Sequence, residues 1–94
     1  MIVTRRLVIH GRVQGVGYRN AMVKIAKQLG LTGWVRNRSN GTVEAVVEGA
    51  PGVVEHVVAW AWEGPKRAVV NQVEVFEDQN SSESHTDFSQ YPTL

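Results

Sequence analysis

GRVQGVGYR, residues 11–19, puts three glycines into nine residues between an alternating apolar stretch and a helically spaced one. Upstream, Leu7, Ile9 and Val13 fall on one face of an extended chain and Arg6, His10 and Arg12 on the other, which predicts a first strand over 7–13. Downstream, Met22, Ile25, Ala26 and Leu29 recur at helical spacing until Gly30 closes the pattern. The quoted stretch is therefore a strand-to-helix turn. Such a turn exposes the unpaired N–H groups and the positive dipole end of the helix it opens, and its glycines let a ligand approach the backbone, so it reads as an anion cradle. Arg19 falls in the first helical turn, where a positive charge opposes the dipole, but its planar fork suits bidentate contact with a phosphoryl group.

Working outward, Thr32 to Asn37 reads as a second strand, with a hairpin turn at Ser39, Asn40 and Gly41. In the third strand Val43, Ala45 and Val47 alternate with Thr42, Glu44 and Glu48. Pro51 suits a first helical position, Val54, Val57, Val58 and Ala61 form the stripe of a second helix, and Gly64 with Pro65 ends it. Residues 69–77 are rich in Val and predict a fourth strand. Residues 78–87, DQNSSESHTD, contain no apolar side chain and read as a solvated loop. The tail around Phe88 and Tyr91 is a candidate edge strand. The order βαββαβ predicts an α+β, ferredoxin-like αβ sandwich, with a four- to five-stranded, mostly antiparallel sheet and both helices on one face. In that topology the first and second strands run parallel with the third between them, so the glycine turn and Asn37 meet at one sheet edge. A carboxamide there can accept from a water while donating to a phosphoryl oxygen, which orients a nucleophile without deprotonating it.

Composition narrows the remaining choices. At 94 residues with 43% hydrophobic content, one domain over residues 1–94 is expected. A net charge of +1 provides no broad footprint for nucleic acid or an anionic membrane, so neither partner is expected and an anion site must be local. Without cysteine there is no disulfide framework and no thiolate nucleophile, and a cytoplasmic setting is the default expectation. The longest uncharged apolar run, residues 57–62, is far short of the ~20 residues of a membrane helix, and Arg5 and Arg6 stand where a signal core would lie. His10, His56 and His85 share no metal-ligand spacing, so no metal and no cofactor are expected. Trp34, Trp60 and Trp62 read as packing residues rather than base-stacking ones. Arg5, Arg6, Arg12, Arg36 and Arg38 are candidates for a basic rim that steers anionic substrates.

VQGVGYR at 13–19 and LGLTGWVRNRSNGTVE at 29–44, with VEG at 47–49 and Gly64-Pro65, resemble the signature of the acylphosphatase family. The resemblance covers nearly all of the chain before Asp78, and Tyr18 stands at an aromatic position often filled by Phe. It implies that the loop of Gln14, Gly15, Val16, Gly17, Tyr18 and Arg19 binds phosphate through its backbone, that Arg19 is the catalytic phosphate-binding arginine, and that Asn37 is catalytic through the water it positions. It also implies a hydrolase acting on a small acyl phosphate, with inorganic phosphate as product or inhibitor, and a monomer is expected. Without the signature the same residues have blander readings: an arginine after a glycine turn is usually a solvated charge, and Asn37 beside Arg38 and Ser39 is a turn residue. The turn is neither a Walker loop, lacking GK[ST], nor a dinucleotide fingerprint, lacking the third glycine. The competing class is a ferredoxin-like binding or regulatory module for RNA or a small ligand, which in the RNA case calls for stacking aromatics on the central strands.

Overall fold

Leu7 and Ile9 are fully buried while Arg6, Val8 and His10 between and beside them are half-buried, and this alternation sets which side of the first strand faces the core. The computed structural model describes residues 1–78 and 86–94. Its elements are β1 (Val3–Arg12), α1 (Tyr18–Gln28), β2 (Thr32–Asn37), β3 (Val43–Gly49), α2 (Pro51–Glu63), β4 (Val69–Glu77) and β5 (Phe88–Gln90). The strands form one sheet in the order β4-β1-β3-β2-β5, antiparallel at every pairing except β2 with β5.

Leu7 pairs with Ala45, and Ala45 with Val35, so a single buried row crosses the three middle strands. Met22 and Ala26 of α1 and Val54, Val57 and Ala61 of α2 join the same hydrophobic cluster as that row. Both helices therefore cover one face, as the element order predicts for a ferredoxin-like sandwich. The other face carries Arg6, Trp34, Arg36 and Glu44, and neither α1 nor α2 covers it.

Three sequence expectations change. β1 begins at Val3, four residues before the expected start, because its pairing with β3 continues to Gly49. Val13 is not in the strand: the register shifts between His10 and Gly11, β1 ends at Arg12, and Val13 turns into the core from the loop. Glu44 does not face solvent but is buried, for reasons given below. The tail does add an edge strand, parallel to β2 and pinned by the fully buried Phe88. Residues 79–85 of the expected polar loop, His85 among them, lie outside the described residues.

Candidate active site

Val13, Val16 and Tyr18 are all buried, and between them Gly15 and Gly17 lie exposed. Burying a valine side chain contributes about 1.5–3 kcal/mol, so these three pegs hold the loop backbone rigidly against the core. Gly15 and Gly17 have φ of 73° and 81°, the left-handed region that disfavours side chains, and a Cβ at either would meet nothing within 4 Å. The glycines are thus required by backbone conformation, and the space beside them is open. Gly17 is the N-cap of α1 and provides no side-chain cap, and the first turn holds no acidic residue. Among the described residues, the first loop or helix amide with a backbone acceptor is that of Ala21, which donates to the Gly17 carbonyl at 3.0 Å. The amides of residues 15–20 thus have no backbone acceptor among the described residues, and beside them lies a cavity of about 160 Å³ lined by Val13, Gly15, Gly17, Tyr18, Arg19 and Asn20. Arg19 is half-buried there and has no carboxylate partner among the described residues.

Asn37 ends β2 opposite Val43, and Val43 is opposite Ile9. The three residues form one row, so the Asn37 side chain shares the helix-covered face with Ile9, about 10 Å away across two strand spacings. Its Oδ1 is buried and accepts no hydrogen bond in the structure. The backbone around it is closely held: Leu94 N donates to the Asn37 carbonyl at 3.2 Å and Ser39 N to the Leu94 carbonyl at 2.9 Å. The turn that follows is built by Asn40, whose Oδ1 accepts from the Thr42 hydroxyl at 2.7 Å and the Thr42 amide at 3.1 Å. Asn37 does not line the loop cavity itself; it lies on the adjoining strand end, and two contacts link the parts. The Gln14 amide nitrogen reaches the Arg38 and Thr42 carbonyls, and Gln90 Nε2 donates to Asn20 Oδ1 beside Arg19.

Of the five arginines of the expected basic rim, Arg12 is exposed at the end of β1, directly before the loop, but the other four are engaged elsewhere. Arg5 lies at the far end of β1, 3.9 Å from Glu77, while Arg6, Arg36 and Arg38 converge on Glu44 at 3.1, 2.9 and 2.9 Å on the sheet's open face. Burial pushes the Glu44 carboxyl up, but the hydrogen bonds and charges of Arg36 and Arg38 outweigh it and hold it below its ordinary value. The sequence contained a signal for this cluster: centring the hairpin on Asn40 places Arg36 opposite Glu44. His10 pairs with Glu74 at 2.8 Å, His56 is exposed, and the described residues contain no group of three His, Asp or Glu that could hold a metal.

Trp60 packs against Tyr18, Trp34 stacks on Tyr91 with centroids 5.2 Å apart, and Trp62 is half exposed. On the open face β1 and β3 carry Arg6, Val8, Glu44 and Val46 and no aromatic, while Trp34 on β2 and Phe76 on β4 each have an arginine over the ring, Arg36 and Arg6. No helix among the described residues is long and apolar enough to cross a membrane.

The element order and the β4-β1-β3-β2-β5 sheet define a ferredoxin-like αβ domain, with a glycine at the start of α1 that provides no side-chain cap. The profile of the acylphosphatase family matches residues 5–90, and the chain belongs to that family. It is 46% identical to acylphosphatase 1 of Ralstonia nicotianae over 93 residues, which cover 99% of this chain and 91% of that one. It is 55% identical to an acylphosphatase of an Acidovorax species over 75 residues, 80% of this chain and 77% of the other. Among solved structures, an acylphosphatase from Coxiella burnetii superposes with a TM-score of 0.89 at 37% identity, over 96% of this chain and 93% of its own.

Proposed function

We propose that this chain is an acylphosphatase: a monomeric, single-domain cytoplasmic hydrolase that cleaves the carboxyl–phosphate bond of small acyl phosphates, with no nucleic acid partner. Arg19 and the amides of Gly15, Val16, Gly17, Tyr18 and Arg19 hold the phosphoryl oxygens, with Gln14 opening that loop, and Asn37 holds the attacking water. The observation that carries the reading is the pairing of two unmet demands. Among the described residues, loop amides and a guanidinium beside one cavity lack partners, and a buried carboxamide oxygen lacks a donor on the adjoining strand end.

The chemistry suits such a site. An acyl phosphate is a mixed anhydride whose leaving group is a carboxylate, a weak base with a pKa near ~4, so its departure requires no strong general acid. Asn37 Oδ1 accepts a hydrogen bond from the water and aims its lone pair at phosphorus, in line with the bond to the carboxylate oxygen. The new O–P bond forms as that bond breaks, and the carboxylate leaves with the electron pair. Arg19 and the loop amides stabilise charge on the three equatorial oxygens. The water's proton passes to a phosphoryl oxygen of the substrate, giving inorganic phosphate without a covalent enzyme intermediate. Metal is not part of this scheme.

Hydrolysis of benzoyl phosphate tests it. The proposal predicts release of benzoate and phosphate, with competitive inhibition by inorganic phosphate. Tight binding of a small ligand or RNA without turnover of any acyl phosphate would favour a non-catalytic module instead.

A further inference from the structure

Gln14 opens the loop that contains the cradle, yet its side chain points across the sheet end to the other half of the site. Its amide nitrogen lies 2.8 Å from the Arg38 carbonyl and 2.9 Å from the Thr42 carbonyl, contacts that span 24 and 28 residues of sequence. A carboxamide nitrogen has two hydrogens, and here each meets one carbonyl. Those carbonyls are the two ends of the hairpin turn: Arg38 N donates to the Thr42 carbonyl at 2.8 Å, and Gly41 N to the Arg38 carbonyl at 3.1 Å. One group therefore ties the start of the anion loop to the turn that directly follows Asn37.

The tie matters because among the described residues the Asn37 side chain makes no hydrogen bond, its buried Oδ1 included. With Oδ1 accepting nothing, where that oxygen points is set by the backbone of residues 37 and 38. Leu94 holds that backbone from the β5 side, and Gln14 holds it from the loop side. We propose that Gln14 is a positioning residue, whose side chain sets the Asn37 carboxamide at a fixed distance and angle from the anion cradle. The inference rests on the reading of Asn37 as the group that holds the water. It gives the Gln14 side chain a role separate from the loop backbone that binds phosphate.

The test is a double-mutant cycle with Gln14→Met, which keeps length but donates nothing, and Asn37→Ala. On benzoyl phosphate, Gln14→Met is expected to lower kcat about tenfold while the phosphate inhibition constant moves less than about twofold, because the cradle amides stay in place. In the Asn37→Ala background the same substitution is expected to change kcat by less than about twofold, because the group it positions is gone. An equal tenfold loss in both backgrounds would assign Gln14 a general structural role and overturn the proposal. So would a phosphate constant that rises in step with the fall in kcat. If Gln14→Met does not fold, Gln14→Asn, one methylene too short to reach both carbonyls, makes the same comparison. An Asn37→Ala enzyme with full kcat sinks both this inference and the water-holding role. A crippled Asn37→Ala beside an unaffected Gln14→Met sinks only this one.

Discussion

Tyr18 donates its phenolic hydrogen to the Ala61 carbonyl at 2.7 Å, so the first residue of α1 caps the last turn of α2. The position four residues after Ala61 is Pro65, which has no N–H, so this carbonyl is one of the helix-end acceptors that must find a partner elsewhere. Burial pushes the phenol pKa up, which keeps it a donor throughout the working pH range. Because Tyr18 immediately precedes Arg19, the same bond fixes the root of the arginine. Tyr18→Phe is expected to lower unfolding free energy by about 1–2 kcal/mol with an unchanged urea m-value. Urea denaturation checks it, and a shift under a few tenths of a kcal/mol would mean that water replaces the phenol.

Arg19→Ala is expected to abolish both turnover and inhibition by phosphate, since it removes the guanidinium that lines the cavity beside the loop amides. Steady-state kinetics with phosphate as inhibitor would show both losses together. Retained phosphate inhibition would assign anion binding to the amides alone.

Glu44 sets an acid limit on stability. Its folded pKa lies below its ordinary value of 4.5, so its contribution is present above that value and is lost as pH falls through the lower, folded one. Glu44→Gln leaves Arg6, Arg36 and Arg38 without their shared anion and is expected to cost about 1–2 kcal/mol at pH 7, reduced by the partial solvation of the arginines. The difference between the two proteins is expected to shrink below pH 4.5 as Glu44 takes up its proton. Thermal melts of both proteins from pH 7 to pH 3 measure this, and a gap that stays constant with pH would contradict it.

Chelation is expected to leave kcat unchanged, since the scheme for the site gives no step to a metal. Benzoyl phosphate turnover after exhaustive treatment with EDTA, with and without added magnesium, is the check. A loss restored by the cation would require a different mechanism.

Most of the fold was legible because its determinants are local. The glycines at 15 and 17, the apolar stripes of both helices, Pro51 at the start of α2 and the Asn40 turn each act within a few residues. β2 and β4 match their expected spans, and the parallel run of β1 and β2 on either side of β3 follows from the element order. What escaped was the side-chain chemistry between distant residues. The burial of Glu44 under three arginines, the reach of Gln14 to Arg38 and Thr42, and the bond from Tyr18 to Ala61 exist only once the sheet is assembled. The basic rim is reduced for that reason: charge counted along the sequence gives no hint that one buried carboxylate claims three of the five arginines.

The most direct test of the account is kcat for Asn37→Ala on benzoyl phosphate, measured beside the inhibition constant for phosphate. A water held by the Asn37 carboxamide predicts a kcat lower by ~100-fold or more with phosphate affinity nearly unchanged. Full kcat in that variant would contradict the account, because the attacking water would then be oriented by something else.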